Sequence, residues 1–217
     1  MMPSNQDLFI KHLKPMPAMK TFAKLSLLAL VAWPLALAAE EPAKQTVAPL
    51  VVGQLAPDFR IKDSTGKQIS LAELTAKGPV LVRLTCGCLG CDKELPYFQE
   101  VQRAYAGQGL TSLAIFREPD AKVEAYVREK KLNMLYAVDT KGESWGVFKT
   151  TSMPSNFLIE KGGKISAIAA GCDTSGLLAK RISEKAAVLT GSPTVDVKAK
   201  VDAQKTAQAE TKQQPAK

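Results

Sequence analysis

The apolar positions of the chain change period several times, and each change marks an element. In "FRIKDSTGKQISL" two short alternating runs flank Ser64-Thr65-Gly66, which predicts a hairpin. "PVLVRLT", following Gly78, is a compact β-type run and predicts a central strand. From Cys91 onward Leu95, Phe98, Val101 and Tyr105 recur on one face of a helix, which Gly107 and Gly109 end. "LTSLAIF" predicts a second buried strand. In "PDAKVEAYVREKKL" Pro119 suits the first turn of a helix, with Val123, Tyr126 and Val127 on its apolar side. "LYAVDTKGESWGVFK" is less regular. After Met153-Pro154, "SNFLIEKGGKISAIAAG" reads as two strands joined at Gly162-Gly163. A closing helix carries Leu178, Ile182, Ala186 and Leu189 on one stripe. The order, β-β then β-α-β-α then β-β-α, is a mixed-sheet α/β plan without internal repeats.

Both ends of the chain depart from this periodic middle. "MKTFAKLSLLALVAWPLALAAEEP" places Lys20 and Lys24 before an apolar run from Leu25 to Leu37 and closes on small residues. Ala36-Leu37-Ala38 has the form of a signal-peptidase site, so residues 1–38 read as a secretory signal, with Met19 as a possible true start. The run is short for a bilayer span, which needs about 20 residues. Residues 39–52 read as a linker and 53–190 as the folded domain. From Gly191 the chain is rich in Lys, Gln, Ala and Thr and lacks aromatics, so 191–217 is expected to be disordered or weakly helical.

Removing 1–38 takes four of 29 Lys/Arg and one of 21 Asp/Glu, leaving 25 against 20, a net charge of +5. The basic residues form no blocks interleaved with aromatics, so nucleic-acid binding is not indicated. The single histidine, His12, leaves with the signal. A mature chain without histidine has no Cys-His nucleophile pair and no histidine-containing zinc site. Its chemistry must rest on cysteines, carboxylates, Arg/Lys or backbone groups.

All four cysteines survive processing into a compartment that permits disulfides. Three of them crowd into "RLTCGCLGCDKELP", where the strand hands over to the helix. A thiol at that junction faces unpaired N–H groups and the positive end of the helix dipole, and both favour the thiolate that attacks disulfides. The two-residue spacing of Cys88 and Cys91 lets the second thiol close on the first within one turn. Cys88 is therefore expected to be the exposed nucleophile and Cys91 the buried resolving thiol.

"APDFRIKDSTGKQISLAEL", "GPVLVRL", "CLGCDKELP", "SMPSNFLIEKGGKI" and the final helix, in that order, resemble thioredoxin-fold proteins of the TlpA/ResA-like periplasmic branch. The likeness runs from Gly53 to Leu189. It implies a thioredoxin-like three-layer fold with a central mixed sheet, an N-terminal hairpin extension and a cis-proline loop. It implies a secreted or periplasmic thiol–disulfide oxidoreductase with Cys88 and Cys91 as the redox pair and the reductive direction favoured. Pro154 matches the family's cis-proline, Met153 would line the substrate surface, and Glu94 matches an acidic residue proposed to move protons at the thiols. The only cofactor implied is the redox-active disulfide, with no resident metal. The implied partners are protein thiol or disulfide substrates and an upstream redox partner, a membrane-bound one among the options.

The sequence also departs from the family. Gly87, with Cys86 before it, stands where a Trp is usual, and Arg83 stands near a position usually small or acidic. An Arg83 pointing under the site would lower the thiol pKa values; an Arg83 reaching the sheet edge would not. A hairpin centred near Gly162 pairs residues whose numbers sum to about 324, placing Ala170 opposite Pro154 and Cys172 opposite Ser152. Cys172 is thus an auxiliary-thiol candidate, paired with Cys88 or Cys86. Three alternatives stay open: a peroxiredoxin-like peroxidase, since Thr85-Cys86-Gly87-Cys88 satisfies Thr-x-x-Cys; a Cu(I) or Zn²⁺ thiolate module of Cys86, Cys88, Cys91 and Cys172; and a redox-dead interaction domain, against which two intact cysteines argue.

Overall fold

The six residues Val80–Thr85 (β3) are all buried because neither edge nor face of the strand meets solvent. In the computed structural model, which describes residues 48–63 and 65–213, β3 pairs in parallel with Thr111–Phe116 (β4) and antiparallel with Ser155–Ile159 (β6). Leu135–Val138 (β5) and Ile165–Ala170 (β7) complete a five-stranded sheet of order β5-β4-β3-β6-β7. Parallel and antiparallel pairs coexist in it, as the mixed-sheet plan requires.

Alternation along β3 sorts its side chains to two cores. Leu81 joins Phe98, Val101 and Tyr105 of helix α2 (Leu89–Tyr105), with residues of α3 (Asp120–Lys130) and α5 (Leu177–Thr190) around them. Val80, Val82 and Leu84 join Phe59, Phe148 and Phe157 on the other face. Phe148 meets Phe59 edge to face and Phe157 at a tilt, at centroid separations of 5.4 and 4.7 Å. Helices on one face, the sheet, and smaller elements on the other make three layers.

The hairpin strands are Arg60–Lys62 (β1) and Gln68–Ser70 (β2), paired antiparallel. The Asp63 side chain accepts from Thr65 N and Lys67 N and closes their turn. Two short helices fall where periodicity is too brief to read. Leu71–Lys77 (α1) is started by Ser70, whose hydroxyl accepts from Glu73 N at 3.3 Å. Glu143–Val147 (α4) is started by Asp139, whose carboxylate gathers the N–H groups of Gly142, Glu143 and Ser144. Met153–Pro154 is a cis peptide.

The C-terminus differs from the disordered or weakly helical tail the composition predicts. Val197–Gln213 forms a seventeen-residue helix, α6, with Val197 and Val201 buried. Two valines on one face, joined by polar ties to α2, are enough to dock a segment that is otherwise polar. Tyr97 donates to Asp202 at 2.6 Å, and Lys205 reaches the Tyr97 hydroxyl at 3.0 Å. Lys200 meets the buried Glu100 at 3.0 Å. The folded unit therefore continues past residue 190. The secretory signal, Met19 and most of the 39–52 linker lie outside the described residues. Among those residues no helix is long and apolar enough to cross a membrane.

Candidate active site

The strand β3 ends at Thr85, and helix α2 begins at Leu89 with Cys88 as its N-cap. Cys88 is extended, at φ −78° and ψ 159°, at the entrance to the helix's first turn. The thiol is exposed, while Cys86 and Cys91 on either side are buried and all three are free. The Cys86 S–H donates to Cys88 Sγ at 2.6 Å, and Cys86 Sγ lies 3.2 Å from Cys91 Sγ. The three sulfurs all lie within 4.8 Å of one another.

Burial pushes the Cys88 thiol up, but the Cys86 hydrogen bond and the backbone N–H groups of Cys91 and Gly90 outweigh it, leaving its pKa below the ordinary thiol value. Burial also acts on Cys91, where hydrogen bonds only partly offset it, and its thiol stays above the ordinary value. Cys86 is raised too, by burial first and then by donating to its two neighbours. One sulfur thus gives up its proton more readily than the two beside it.

Arg83 answers the question left open by its position. It is completely buried, and Nη1 lies 2.9 Å from Glu94 Oε2 and donates to Asn156 Oδ1 at 2.8 Å. Nη2 reaches the Cys91 carbonyl at 3.4 Å, and the guanidinium stacks on the Phe98 ring at 4.5 Å. Arg83 does not reach the sheet edge. Nor does it act as a bare positive charge beneath the thiols: Glu94, also completely buried, neutralises it. Burial raises the Glu94 carboxyl and Arg83 pulls it partly back down. Arg83 Nε has no hydrogen-bond partner among the described residues.

Cys172 follows β7 in a turn where Gly171 N donates to Pro154 O at 2.8 Å. The strand register differs by one from the sum of 324. A bulge at Leu158/Ile159 puts Ala170 opposite Ser155 instead of Pro154. The turn brings Cys172 beside Gly90, outside the cluster of three sulfurs. A Cβ built on Gly90, between Cys88 and Cys91, would sit 3.0 Å from Cys172 Sγ. Glycine at 90 is what lets that sulfur approach. Cys172 is exposed, and its thiol is raised by burial, then by the charges of Glu94, Cys91 and Cys88.

The β3–β6 pairing ends at Leu84 with Ser155, so the cis Met153–Pro154 step lies just beyond the end of the sheet from which β3 runs on to Cys86. Pro154 is buried and Met153 half-buried at this end of the sheet. On the other side Glu118 Oε1 accepts from Gly87 N at 2.7 Å. A cleft of about 220 Å³ opens there, lined by Gly87, Phe116, Glu118, Lys122 and Tyr126 among others.

A family model described as AhpC/TSA matches residues 52–168, more than half of the chain. The chain belongs to the AhpC/TSA family. Among its relatives is a thiol-disulfide oxidoreductase ResA of Bacillus thuringiensis subsp. konkukian, 33% identical over 115 residues, which are 52% of this chain and 66% of that protein. The ResA of Geobacillus thermodenitrificans is 31% identical over 126 residues, 58% of this chain and 72% of that one. In fold, this family member superimposes on the thioredoxin domain of a thiol-disulfide oxidoreductase from Bacteroides vulgatus. The TM-score is 0.54 at 23% identity, covering 62% of this chain and 97% of that one. The architecture is thioredoxin-like.

Sequence reasoning missed two residues of this AhpC/TSA site. Asn156 is the direct cross-strand partner of Arg83. Its signal was present: one amide in the apolar run "SNFLI", matched with one guanidinium in the apolar run "PVLVRLT". Glu118 carried no such signal, because it reaches Gly87 across a gap of 31 residues that only the fold closes.

Proposed function

We propose that this chain is a secreted or periplasmic thiol–disulfide oxidoreductase that reduces protein disulfides through Cys88 and Cys91. The observation that carries the reading is the exposed Cys88 thiol at a helix start, held below its ordinary pKa one turn from a buried Cys91. The Cys88 thiolate attacks a substrate disulfide, and one substrate sulfur leaves as a thiol. The mixed disulfide that results is attacked at the Cys88 sulfur by Cys91. The second substrate thiol departs, and two electrons have passed from the Cys88–Cys91 pair to the substrate. An upstream dithiol donor, soluble or membrane-bound, returns them, and an oxidase would run the same steps in reverse.

Glu94 is assigned as the proton helper. Cys91 must lose its proton before it can resolve, and burial has raised the Glu94 carboxyl above its usual range so that it exchanges protons closer to neutrality. Met153 and Pro154, just past the last β3–β6 pair at the thiol end of the sheet, are assigned to receive the substrate backbone. The similarity to proteins named ResA supports this class of reaction.

The test is reduction of a peptide disulfide with a dithiol donor. Cys88→Ser should abolish turnover, and Cys91→Ser should trap a mixed disulfide visible on a non-reducing gel. Unchanged turnover in Cys88→Ser would end the reading. The proximity of three sulfurs favours one second reading, a soft-metal thiolate site on Cys86, Cys88 and Cys91. One equivalent of copper or zinc in protein purified under reducing conditions would carry it.

A further inference from the structure

Cys86 is buried, nucleophilic in kind, and unused by the two-cysteine exchange above. Its sulfur lies 3.2 Å from Cys91 and 2.6 Å from Cys88, so it touches both members of the pair. We propose that Cys86 is a second partner for Cys91, so that the centre holds two alternative disulfides, Cys88–Cys91 and Cys86–Cys91. The inference rests on the exchange reading, since it begins from the disulfide that exchange leaves behind.

A disulfide bond is about 2.05 Å long, so the two sulfurs need to close by little more than an ångström. The step is an isomerisation. The Cys86 sulfur attacks Cys91, the S–S bond to Cys88 breaks, and Cys88 leaves as the thiolate. The proton of Cys86 is released to Cys88 or to solvent, and no electrons enter or leave the chain. The leaving sulfur decides the direction, because the thiol of lowest pKa leaves fastest. Cys88 is that thiol: in the Cys86–Cys91 form it no longer receives the Cys86 S–H, but it still sits at the helix start against the N–H groups of Cys91 and Gly90, whereas Cys86 and Cys91 are buried.

The position of the new bond matters as much as its chemistry. Cys88–Cys91 has one sulfur on the surface, whereas Cys86–Cys91 joins two buried ones. The oxidising equivalent would move inward, and the exposed Cys88 would be free again while the domain remained oxidised. Gly87, the residue between Cys86 and Cys88, carries no side chain to hinder their separation, and Glu118 holds its N–H. Reduction then runs through the reverse step, with Cys88 recapturing Cys91.

The experiment reads which thiol stays free. The full chain is oxidised with a small disulfide, quenched in acid, alkylated with iodoacetamide and cut with trypsin without reduction. Cleavage after Arg83 and Lys93 puts Cys86, Cys88 and Cys91 in one peptide, "LTCGCLGCDK", and fragmentation locates the single alkyl group. A label on Cys88 in a measurable fraction of molecules is the expected result. A label confined to Cys86 overturns the proposal while leaving the exchange reading intact, and a label on Cys91 overturns it in favour of a Cys86–Cys88 bond. Three alkylated cysteines in this peptide after oxidation would instead be failure of the exchange reading itself. Cys88→Ser supplies the second measurement. Oxidation should cost it two of its three remaining thiols, both within that peptide, and Cys86→Ser/Cys88→Ser should keep its one remaining peptide thiol, Cys91, free of such a bond. A Cys91–Cys172 bond linking two peptides in Cys88→Ser would overturn the pairing.

Discussion

Replacing Glu94 by Leu should cost this domain more than any surface change, and the structure sets the size of the loss. Arg83 and Glu94 are both completely buried, with Nη1 and Oε2 2.9 Å apart. Removing one member of such a pair leaves the other charge uncompensated, at a cost of about 3–5 kcal/mol. In a domain of this size that lowers Tm by roughly 6–20 °C, out of a total stability on the order of 5–15 kcal/mol. Arg83 would keep Asn156 Oδ1, the Cys91 carbonyl and the Phe98 face, but none of these carries a full negative charge. Arg83→Leu should cost a similar amount by stranding the carboxylate. The double variant Arg83→Leu/Glu94→Leu removes both charges and leaves one orphaned amide, Asn156 Oδ1, worth about 1–3 kcal/mol. It should therefore be more stable than either single variant. The assay is thermal unfolding of the reduced proteins followed by circular dichroism. A Glu94→Leu loss under about 1 kcal/mol, or single losses that simply add in the double variant, would refute the argument that the pair is mutually dependent.

Two further outcomes follow from the thiols and the C-terminal helix. The rate of Cys88 alkylation by iodoacetamide should titrate with a midpoint below the ordinary thiol value. Cys86→Ala, which removes the S–H donated to Cys88, should move that midpoint up; a midpoint unmoved or lowered would count against Cys86 as the donor. By linkage, a depressed folded pKa contributes stability that is fully present above the unfolded value. That contribution should be lost as pH falls through the Cys88 midpoint, and urea unfolding of the reduced protein across this window checks the sign. A stop after Gly191 should lower the urea midpoint, since re-exposing Val197 and Val201 alone is worth roughly 3–6 kcal/mol as an upper figure. An unchanged midpoint would mean that α6 is not part of the folded unit.

The sheet was legible in the sequence because its strands carry dense apolar runs: "PVLVRLT" and "LTSLAIF" lie side by side at the centre, as their composition demands. The strand-to-helix junction that holds Cys88 and Cys91, the pair proposed to exchange, was legible because the period of two gives way there to the helical period. What could not be read depends on distances between remote residues. Nothing local in Arg83 tells whether its partner is water or Glu94. Cys86 stands just before the position where the family usually has a tryptophan, and its sulfur touches both of the others. The tail was misread for a related reason. Its composition is that of a solvated segment, and two valines suffice only because α2 and α5 offer a surface for them. The one-residue error in placing Cys172 came from a bulge, which shifts register without any signature in the apolar pattern.

The docking of α6 also bears on when the thiol centre is finished. Its polar contacts to α2 bridge 105 residues from Tyr97 to Asp202, 108 from Tyr97 to Lys205 and 100 from Glu100 to Lys200. A chain made from its N-terminus presents Cys88 and Cys91 long before it presents Asp202. During that interval the helix that carries the thiols lacks its outer brace, and Glu100 lacks its lysine. Loop closure over such separations is slow compared with forming a local helix. The domain therefore passes through a stage at which both cysteines are already present and the brace of their helix is still to come, and the arrival of α6 closes that stage.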